Sequence, residues 1–426
     1  MKKGECKVCI CKRFGMFIFA ILALSVLAAC GDDEAKDRSG GTSSDKSAES
    51  SAYAQGVTDN EIIVGHSAAQ TGPVAVYDNV RKGMQAYFDY VNENGGINGR
   101  KVKIIAYDDE YQPAKTLQNI QRLVDEDNVF ALLGPIGTAN INASQSFIEQ
   151  SGVPIVGLAT GADKFVNPPI ENIFGITFNY KLESKILVEY IVEEIGAENI
   201  ALLYQNDDFG MDNLNFAKEA LENYDVEIAA EIPFLASDAD FSSHTQKILD
   251  ADPDTILMFS TPGPVAHLKK ELFNRNIDIP FVTTSTGGGD EHQFEVAGEE
   301  VWEGTIVSIP GSPDKSEVAD YDLYVERMLM DYSESELGGL AEQGWSTAKI
   351  FEEGIKRSGD DLSWENFIAQ MNTFENWEET FYPSITYTPE HRYGNTTLYI
   401  VEAKDGELSE LRKMHYDIET GEIIYE

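Results

Sequence analysis

Two hydroxyl side chains, Thr138 and Thr160, follow two consecutive predicted strands of this chain. The apolar run at residues 130–133 ends at a Gly-Pro pair, and the apolar run at residues 153–156 precedes a loop of small residues that contains Thr160. Short apolar runs that end at Gly or Pro are typical of buried parallel strands. In an open α/β sheet, ligands bind just outside the carboxyl ends of the strands, so both loops are candidates for a binding site.

Thr138 stands where a helical pattern begins. A helix N-terminus offers unpaired backbone N–H groups and the positive end of the helix dipole, which together suit a carboxylate. The alternative is that Thr138 only caps this helix, because threonine is common at that position. The second hydroxyl loop, at Thr160, favours a ligand site. We therefore predict that Thr138 and Thr160 bind the polar end of a small molecule.

Composition and charge limit the possible partners. The 426 residues are 42% hydrophobic, which is enough for two domains of ordinary size. Lysine and arginine number 32 against 73 aspartate and glutamate, so the net charge is −41. A chain this acidic repels phosphates, and we therefore expect no nucleic-acid partner.

The N-terminus predicts export. Residues 1–29 combine a basic start, a short apolar run and a Leu-Ala-Ala sequence before Cys30, as in a signal peptide. The sequence around Cys30 resembles the lipobox of bacterial lipoproteins, which implies a lipid on that cysteine after cleavage. Residues 30–56 then form a flexible tether. We expect a protein anchored to the outer face of a bacterial membrane, of the Gram-positive type; the alternative is ordinary secretion with an incidental Cys30.

Apolar runs and helical patterns alternate along the chain, which predicts right-handed βαβ units and parallel sheets. The alternation restarts after residue 177, so we predict an α/β fold with two doubly wound lobes whose polar strand-end loops face each other. The third section is predicted to be helical and to end in hairpins. Strands are predicted at residues 61–65, 102–107, 200–204, 226–232, 255–259 and 281–283, and late helices at 318–332, 340–357 and 363–373.

The motifs between residues 57 and 411 resemble, in order and spacing, those of the substrate-binding proteins of ABC importers, of the leucine/isoleucine/valine-binding type. Each motif alone is a weak signal, but the order and spacing of all the motifs together are a strong one. The motifs are Thr71-Gly72-Pro73, Gly95-Gly96-Ile97-Asn98-Gly99-Arg100, Asp108-Asp109, Gly134-Pro135 with Thr138, Val153-Pro154 with Ala159-Thr160, and Asp207-Asp208-Phe209-Gly210.

The resemblance implies a periplasmic binding protein type 1 fold, with two lobes that close like a hinge over the ligand. Three crossovers would join the lobes, near Thr177, near residues 307–310 and after Trp377. The N-terminal lobe would contain residues 57–177 and 308–377. The C-terminal lobe would contain residues 178–307 and 378–426.

The resemblance also implies roles for individual residues. Thr138 would hold the ligand carboxylate through its hydroxyl and N–H. The Leu158 carbonyl and the Thr160 hydroxyl would accept hydrogen bonds from an α-ammonium group. Tyr77 and Phe209 would form aromatic walls from opposite lobes, although both rings could instead be ordinary core or rim aromatics.

Two positions depart from the family pattern. Amino-acid binders of this family commonly place an acidic residue of the second lobe against the ammonium, but residues 283–289 contain no acid before Asp290. Thr261 stands where an aromatic residue is common; Phe209 and Thr261 would close over the ligand, and Thr286 would suit a carboxylate or amide without an ammonium. Glu342 could supply the missing charge, or could be a surface residue. The ligand is therefore a branched-chain or other amino acid, or alternatively an aromatic or aliphatic carboxylate or amide without an α-ammonium.

The sequence contains no motif of a serine hydrolase, a zinc protease or a phosphate-binding loop. Its six histidines lack metal-ligand spacing. We therefore expect no catalytic residues, no cofactor and no metal, and a monomer that delivers its ligand to an ABC permease. A ligand sensor that serves a receptor would have the same fold and remains the alternative.

Overall fold

The structure is a computed structural model that describes residues 53–426. The predicted signal peptide, Cys30 and most of the predicted tether lie outside the described residues. No helix within residues 53–426 has the length and apolar character that crossing a membrane requires.

Two sheets organise the described chain, and the first is entirely parallel, with the strand order β2-β1-β3-β4-β5. Its register is continuous along the long strands β1 and β2, where all eight residues of each strand are paired. The strands of this sheet are β1 (Glu61–Ala68), β2 (Lys101–Asp108), β3 (Ala131–Leu133), β4 (Ile155–Leu158) and β5 (Ile173–Gly175).

The second sheet has the order β13-β12-β11-β10-β9-β8-β6-β7. Strands β6 to β10 are parallel, whereas β11, β12 and β13 extend the sheet as antiparallel strands. The strands are β6 (Asn199–Gln205), β7 (Glu227–Phe234), β8 (Thr255–Phe259), β9 (Phe281–Thr283), β10 (Ile306–Ile309), β11 (Thr397–Lys404), β12 (Glu407–Tyr416) and β13 (Ile423–Tyr425).

The helices cover the sheets, and most follow from an apolar face at helical spacing. In α2, for example, Pro113 occupies the first turn and Ile120 and Leu123 are buried. The helices are α1 (Asp78–Glu93), α2 (Pro113–Asp125), α3 (Thr138–Ser151), α4 (Tyr180–Tyr190), α5 (Asp208–Leu221), α6 (Ser242–Ala251), α7 (Pro262–Asn274), α8 (Ser285–Gly288), α9 (His292–Ala297), α10 (Glu299–Trp302), α11 (Tyr321–Asp331), α12 (Gly339–Ser358) and α13 (Trp364–Met371).

The predicted fold class, α/β with parallel sheets in two lobes, is confirmed. Two short strands, β5 and β10, were not apparent in the sequence pattern. Both lie at the crossovers that the resemblance places near Thr177 and near residues 307–310, so the sequence predicts connections there instead of strands.

Helix α12 packs very closely on α1, and both belong to the first lobe's hydrophobic core. A Cβ atom at Gly83 would lie 2.0 Å from the Ala341 carbonyl oxygen, and a Cβ atom at Gly344 would lie 1.9 Å from the Val80 carbonyl oxygen. Only glycine permits this approach at both positions. The contact fixes the position and rotation of the first turns of α12.

The last crossover differs from the predicted boundary after Trp377. Phe381, Tyr382 and Tyr387 are buried in the core of the first lobe, although residues 378–426 are predicted to belong to the second. The chain pairs with the first sheet as late as Tyr393 and joins the second sheet at β11. Burial of these aromatic side chains holds the segment to the first lobe.

Candidate ligand-binding site

A cavity of about 90 Å³ lies between the two lobes. The strand-end loops of both sheets and the first turns of α12 form its walls. The cavity is also lined by one residue from each of the three segments that connect the lobes, namely Thr177, Pro310 and Tyr382. A concave space between domains is a usual form of a small-molecule site.

The Thr138 hydroxyl lies 2.8 Å from the Thr160 hydroxyl, and both residues are buried. Thr138 is the first residue of α3, and Gly137, with φ of +103°, precedes it as the N-cap. The Thr138 side chain therefore bonds Thr160 instead of capping the helix. Thr138 lines the cavity, whereas Thr160 is buried beside its wall. The sequence-predicted hydroxyl pair is brought together, with one member directly accessible to a ligand.

Two pairs of aromatic rings line the same cavity. The rings of Tyr77 and Tyr111 are 5.9 Å apart, and those of Tyr180 and Phe209 are 5.3 Å apart at 67°. Burial raises the pKa of Tyr77 and of Tyr111, so both hydroxyls stay neutral. The predicted aromatic residues Tyr77 and Phe209 thus face one space from opposite lobes.

Tyr180 connects the hydroxyl groups of the two lobes. Burial raises its pKa, and hydrogen bonds with Thr160 and Thr286 partly oppose that shift. Thr286 also lines the cavity, from the short helix α8 that follows β9. The sequence pattern did not indicate Tyr180, because its place in the site depends on how α4 starts beside both loops.

Two predicted site residues, Leu158 and Thr261, are fully buried beside the wall of the cavity. The Leu158 carbonyl oxygen accepts the N–H of Ile176 at 3.2 Å, so a sheet hydrogen bond occupies the proposed ammonium acceptor. The Thr261 hydroxyl donates to Gln205 Oε1 at 2.8 Å. Gln205 also bonds the Tyr111 side chain of the first lobe, and it thereby connects the second-lobe wall to the aromatic pair.

Asp290 is a buried carboxylate in the cavity wall. Its Oδ2 accepts the backbone N–H of Leu340 at 2.9 Å, and its Oδ1 accepts that of His292 at 2.9 Å. Burial, reinforced by Glu291, raises the pKa of Asp290 to about 6. Residues 283–289 contain no acidic residue, but Asp290, which directly follows them, places a carboxylate in the cavity wall.

The Glu342 carboxylate points to Lys315, 2.7 Å away, and both side chains line a neighbouring cavity. Burial raises the pKa of Glu342, and Lys315 opposes that shift. Lys315 also lies 3.4 Å from Glu291 of the second lobe. The prediction that Glu342 supplies a charge to the ligand finds no support in this position, since its partner is a lysine of the protein.

The lobes touch on more than one side of the cavity, so the molecule is in a closed form. Asp208 of α5 accepts a hydrogen bond from Asn142 at 2.9 Å and pairs with Lys164 at 3.3 Å. Among the described residues, no group of three or more His, Cys, Asp or Glu side chains is placed to hold a metal ion.

Two α/β lobes closed over a small cavity are the architecture of a two-lobed binding protein. The sequence model of a family described as periplasmic binding protein matches residues 61–407, so the chain belongs to that family.

Individual relatives are distant. The Leucine-, isoleucine-, valine-, threonine-, and alanine-binding protein of Pseudomonas aeruginosa is 21% identical over 309 residues, which cover 72% of this chain and 81% of that protein. A branched-chain amino acid ABC transporter structure from Thermus thermophilus with bound valine has a TM-score of 0.77 at 19% identity, covering 83% of this chain and 96% of that one. A fatty acid ABC transporter substrate-binding protein from Thermomonospora curvata has a TM-score of 0.74 at 19% identity, covering 84% and 93%. The two structures show a shared fold.

Proposed function

We propose that this protein captures a small amino acid in the cavity between its lobes and delivers it to an ABC permease. The observation that carries this proposal is the composition of the cavity wall. Thr138 presents a hydroxyl at the N-terminus of α3, and Asp290 presents a carboxylate from the other lobe. A helix N-terminus suits the ligand carboxylate, and a buried carboxylate suits an ammonium group.

The relatives support the same class of ligand. The Pseudomonas aeruginosa protein is named for binding five amino acids, and the Thermus thermophilus structure contains valine. Asp290 would take the place of the acid that the sequence pattern lacks. The family's binding proteins are not enzymes, and we propose that this protein likewise releases its ligand chemically unchanged.

The second candidate is a carboxylate or amide without an α-ammonium. Two observations favour it. The acceptors predicted for the ammonium, Leu158 and Thr160, are already engaged by protein groups, and Asp290 already accepts two backbone N–H groups. The likeness to a fatty acid binding protein is a further reason to test carboxylates.

We also propose export and anchoring, from the sequence before residue 57. Residues 1–29 would be removed and Cys30 would carry the lipid, which would place the folded body on the outer face of the membrane. Two lipid chains on one residue are enough for a stable anchor. In a producing bacterium, a labelled fatty acid should be incorporated into the wild-type protein and not into Cys30→Ala; incorporation into this variant would contradict the proposal.

Thermal unfolding of the folded body in the presence of candidate ligands tests the proposed function. The panel contains leucine, valine, glutamine, glutamate, propionamide, benzoate and octanoate. A ligand at about 100 times its dissociation constant stabilises a protein by about 2.7 kcal/mol, which is easily visible. Stabilisation by amino acids supports the first candidate, and stabilisation only by acids or amides without the ammonium supports the second. No stabilisation by any compound would contradict both.

A further inference from the structure

The side-chain amide nitrogen of Gln343 is buried and has no hydrogen-bond partner among residues 53–426. Gln343 lines the cavity, together with Gly339 and Leu340 of the same helix turn. Residues three apart share one face of a helix, so Leu340 and Gln343 point to the same side of α12. The cavity wall therefore contains one strong donor whose partner is not supplied by the described chain.

The backbone of α12 is held in place on both sides of Gln343. Gly344, the next residue, lies so close to the Val80 carbonyl that a Cβ atom there would be 1.9 Å from the oxygen. On the other side, the Leu340 N–H is held by Asp290 at 2.9 Å. Because the helix cannot shift away from the cavity that Gln343 lines, we look for the partner of this donor among the groups of a ligand.

A buried donor without a partner loses the hydrogen bond that water would otherwise provide. An aliphatic ligand beside Gln343 would leave the donor unpaired and keep this free-energy cost. A ligand with an oxygen acceptor there would remove the cost. Sites built to hydrogen-bond a ligand reject analogues that lack the bonding group far more strongly than apolar pockets reject a methylene.

The charge next to Gln343 narrows the type of acceptor. Asp290 lines the same wall and is buried, and the lining residues include no lysine or arginine. A second carboxylate on the ligand would meet a buried carboxylate there without a compensating cation. A neutral carboxamide or urea offers an oxygen to Gln343 and N–H groups to Asp290.

We propose that Gln343 is a specificity-determining residue of this cavity, whose amide N–H donates to a neutral carbonyl oxygen of the ligand. The inference rests on the proposed function, because it concerns the same cavity. The ligand class is then a small solute with a carboxamide or urea-like group beside α12. Leucine-like solutes fit less well, since they leave the Gln343 donor without a partner.

The test compares the wild-type protein with Gln343→Met by titration calorimetry against glutamine, propionamide, glutamate and leucine. Methionine has nearly the length and shape of glutamine but donates no hydrogen bond. We expect affinity for the carboxamides to fall about 10- to 100-fold, the loss that follows from removing one buried hydrogen bond. Affinity for leucine should stay equal or rise, so the preference between the two ligand types reverses.

Gln370→Met, on α13, is the matched control. Gln370 is a half-buried helical glutamine that bonds Asn366 and lies outside the cavity wall. This variant should leave every affinity unchanged. If Gln343→Met unfolds, Gln343→Glu keeps the volume, removes the donor and should weaken carboxamide binding in the same way.

The outcomes separate the two proposals. If carboxamides bind and both Gln343 variants retain their affinity, Gln343 does not determine specificity, while the proposed function stands. If wild-type protein prefers leucine to the carboxamides, the inference is also wrong. If no compound binds the wild-type protein, the proposed function fails and the inference fails with it.

Discussion

The carboxylate of Asp290, in the second lobe, accepts the backbone N–H of Leu340, in the first turn of a helix of the first lobe, at 2.9 Å. The N-cap of that helix is Gly338, which has no side chain to bond the free N–H groups. One lobe thus caps a helix of the other. An acidic side chain at a helix N-terminus also interacts favourably with the helix dipole. Opening of the cleft must break this contact.

Asp290→Ala should favour the open form. Loss of a cap costs about 0.5–2 kcal/mol, and here the cost falls on the closed form, in which the cap exists. Small-angle scattering should therefore show a larger radius of gyration for ligand-free Asp290→Ala than for the wild type. Asp240→Ala is the control, since Asp240 bonds the start of α6 within one lobe. Equal radii for wild type and Asp290→Ala would show that this cap does not hold the lobes.

The pH dependence of stability should report the burial of Asp290. Its pKa is raised from the ordinary 3.8 to about 6, so between those values the folded protein keeps a proton that the unfolded chain releases. The free energy of unfolding contributed by this group therefore decreases as pH rises from about 4 to 6, by up to roughly 3 kcal/mol. Urea unfolding of wild type and Asp290→Asn at several pH values isolates this contribution. A difference between the two proteins that does not change with pH would contradict the assignment.

Thr138→Val should weaken ligand binding by about 1–3 kcal/mol, because the substitution keeps the volume and removes the hydroxyl that faces the cavity. Thr160 would lose the same hydrogen bond, so the free energy of unfolding of the ligand-free protein should fall as well. Thr388→Val serves as control, since Thr388 is half-buried outside the cavity wall and its hydroxyl accepts the backbone N–H groups of Glu390 and His391. Titration calorimetry with a ligand from the panel measures the effect; unchanged affinity would place the polar end of the ligand elsewhere.

Asp208→Asn should change ligand affinity less than threefold. Asp208 pairs with Lys164 across the lobes, but both side chains are about a third or more exposed, at 42% and 34%. Ion pairs of this exposure contribute about 0–1 kcal/mol and are screened by salt. The small effect should disappear in 0.5 M salt. A loss of tenfold or more that persists in salt would mean that Asp208 contacts the ligand or controls closure.

Gly344→Ala should strongly destabilise the protein, by about 2 kcal/mol or more, since overpacking a tight helix contact forces the backbones apart. The new methyl group would lie 1.9 Å from the Val80 carbonyl oxygen. Gly263→Ala, in the first turn of α7, is the control, because its Cβ would meet Pro73 at an ordinary 3.7 Å. Denaturant unfolding compares the two variants, and equal stability would contradict the packing of α1 on α12.

The parts of the site that the sequence predicts are those determined locally. Thr138, Phe209 and Thr286 each follow a strand by a few residues, and the strand-end rule places such residues at the edge of a parallel sheet. Tyr77 likewise belongs to the loop and turn after β1. All four line the cavity.

The remaining residues of the site depend on packing between segments that are distant in the sequence. The sequence leaves open whether Glu342 meets the ligand or is a surface residue. In the structure it is Gln343 that lines the cavity, because successive residues of a helix point about 100° apart. Which side of α12 faces the cavity is decided by its glycine contact with α1, which no local pattern reveals. Asp290 was missed for a similar reason, since its importance comes from a helix fifty residues away.

The contacts across the cleft at Asp290, Asp208 and Lys315 join protein groups to protein groups. Part of the free energy that shuts the lobes is therefore independent of the solute. The ligand then needs to supply less of the free energy of closure, so a solute at low concentration is bound with higher apparent affinity. The same contacts also allow the ligand-free protein to close. A permease that recognises only the closed form would then bind some molecules that carry no ligand. The strength of these contacts therefore sets a balance between affinity for the ligand and futile binding of the ligand-free protein to the permease.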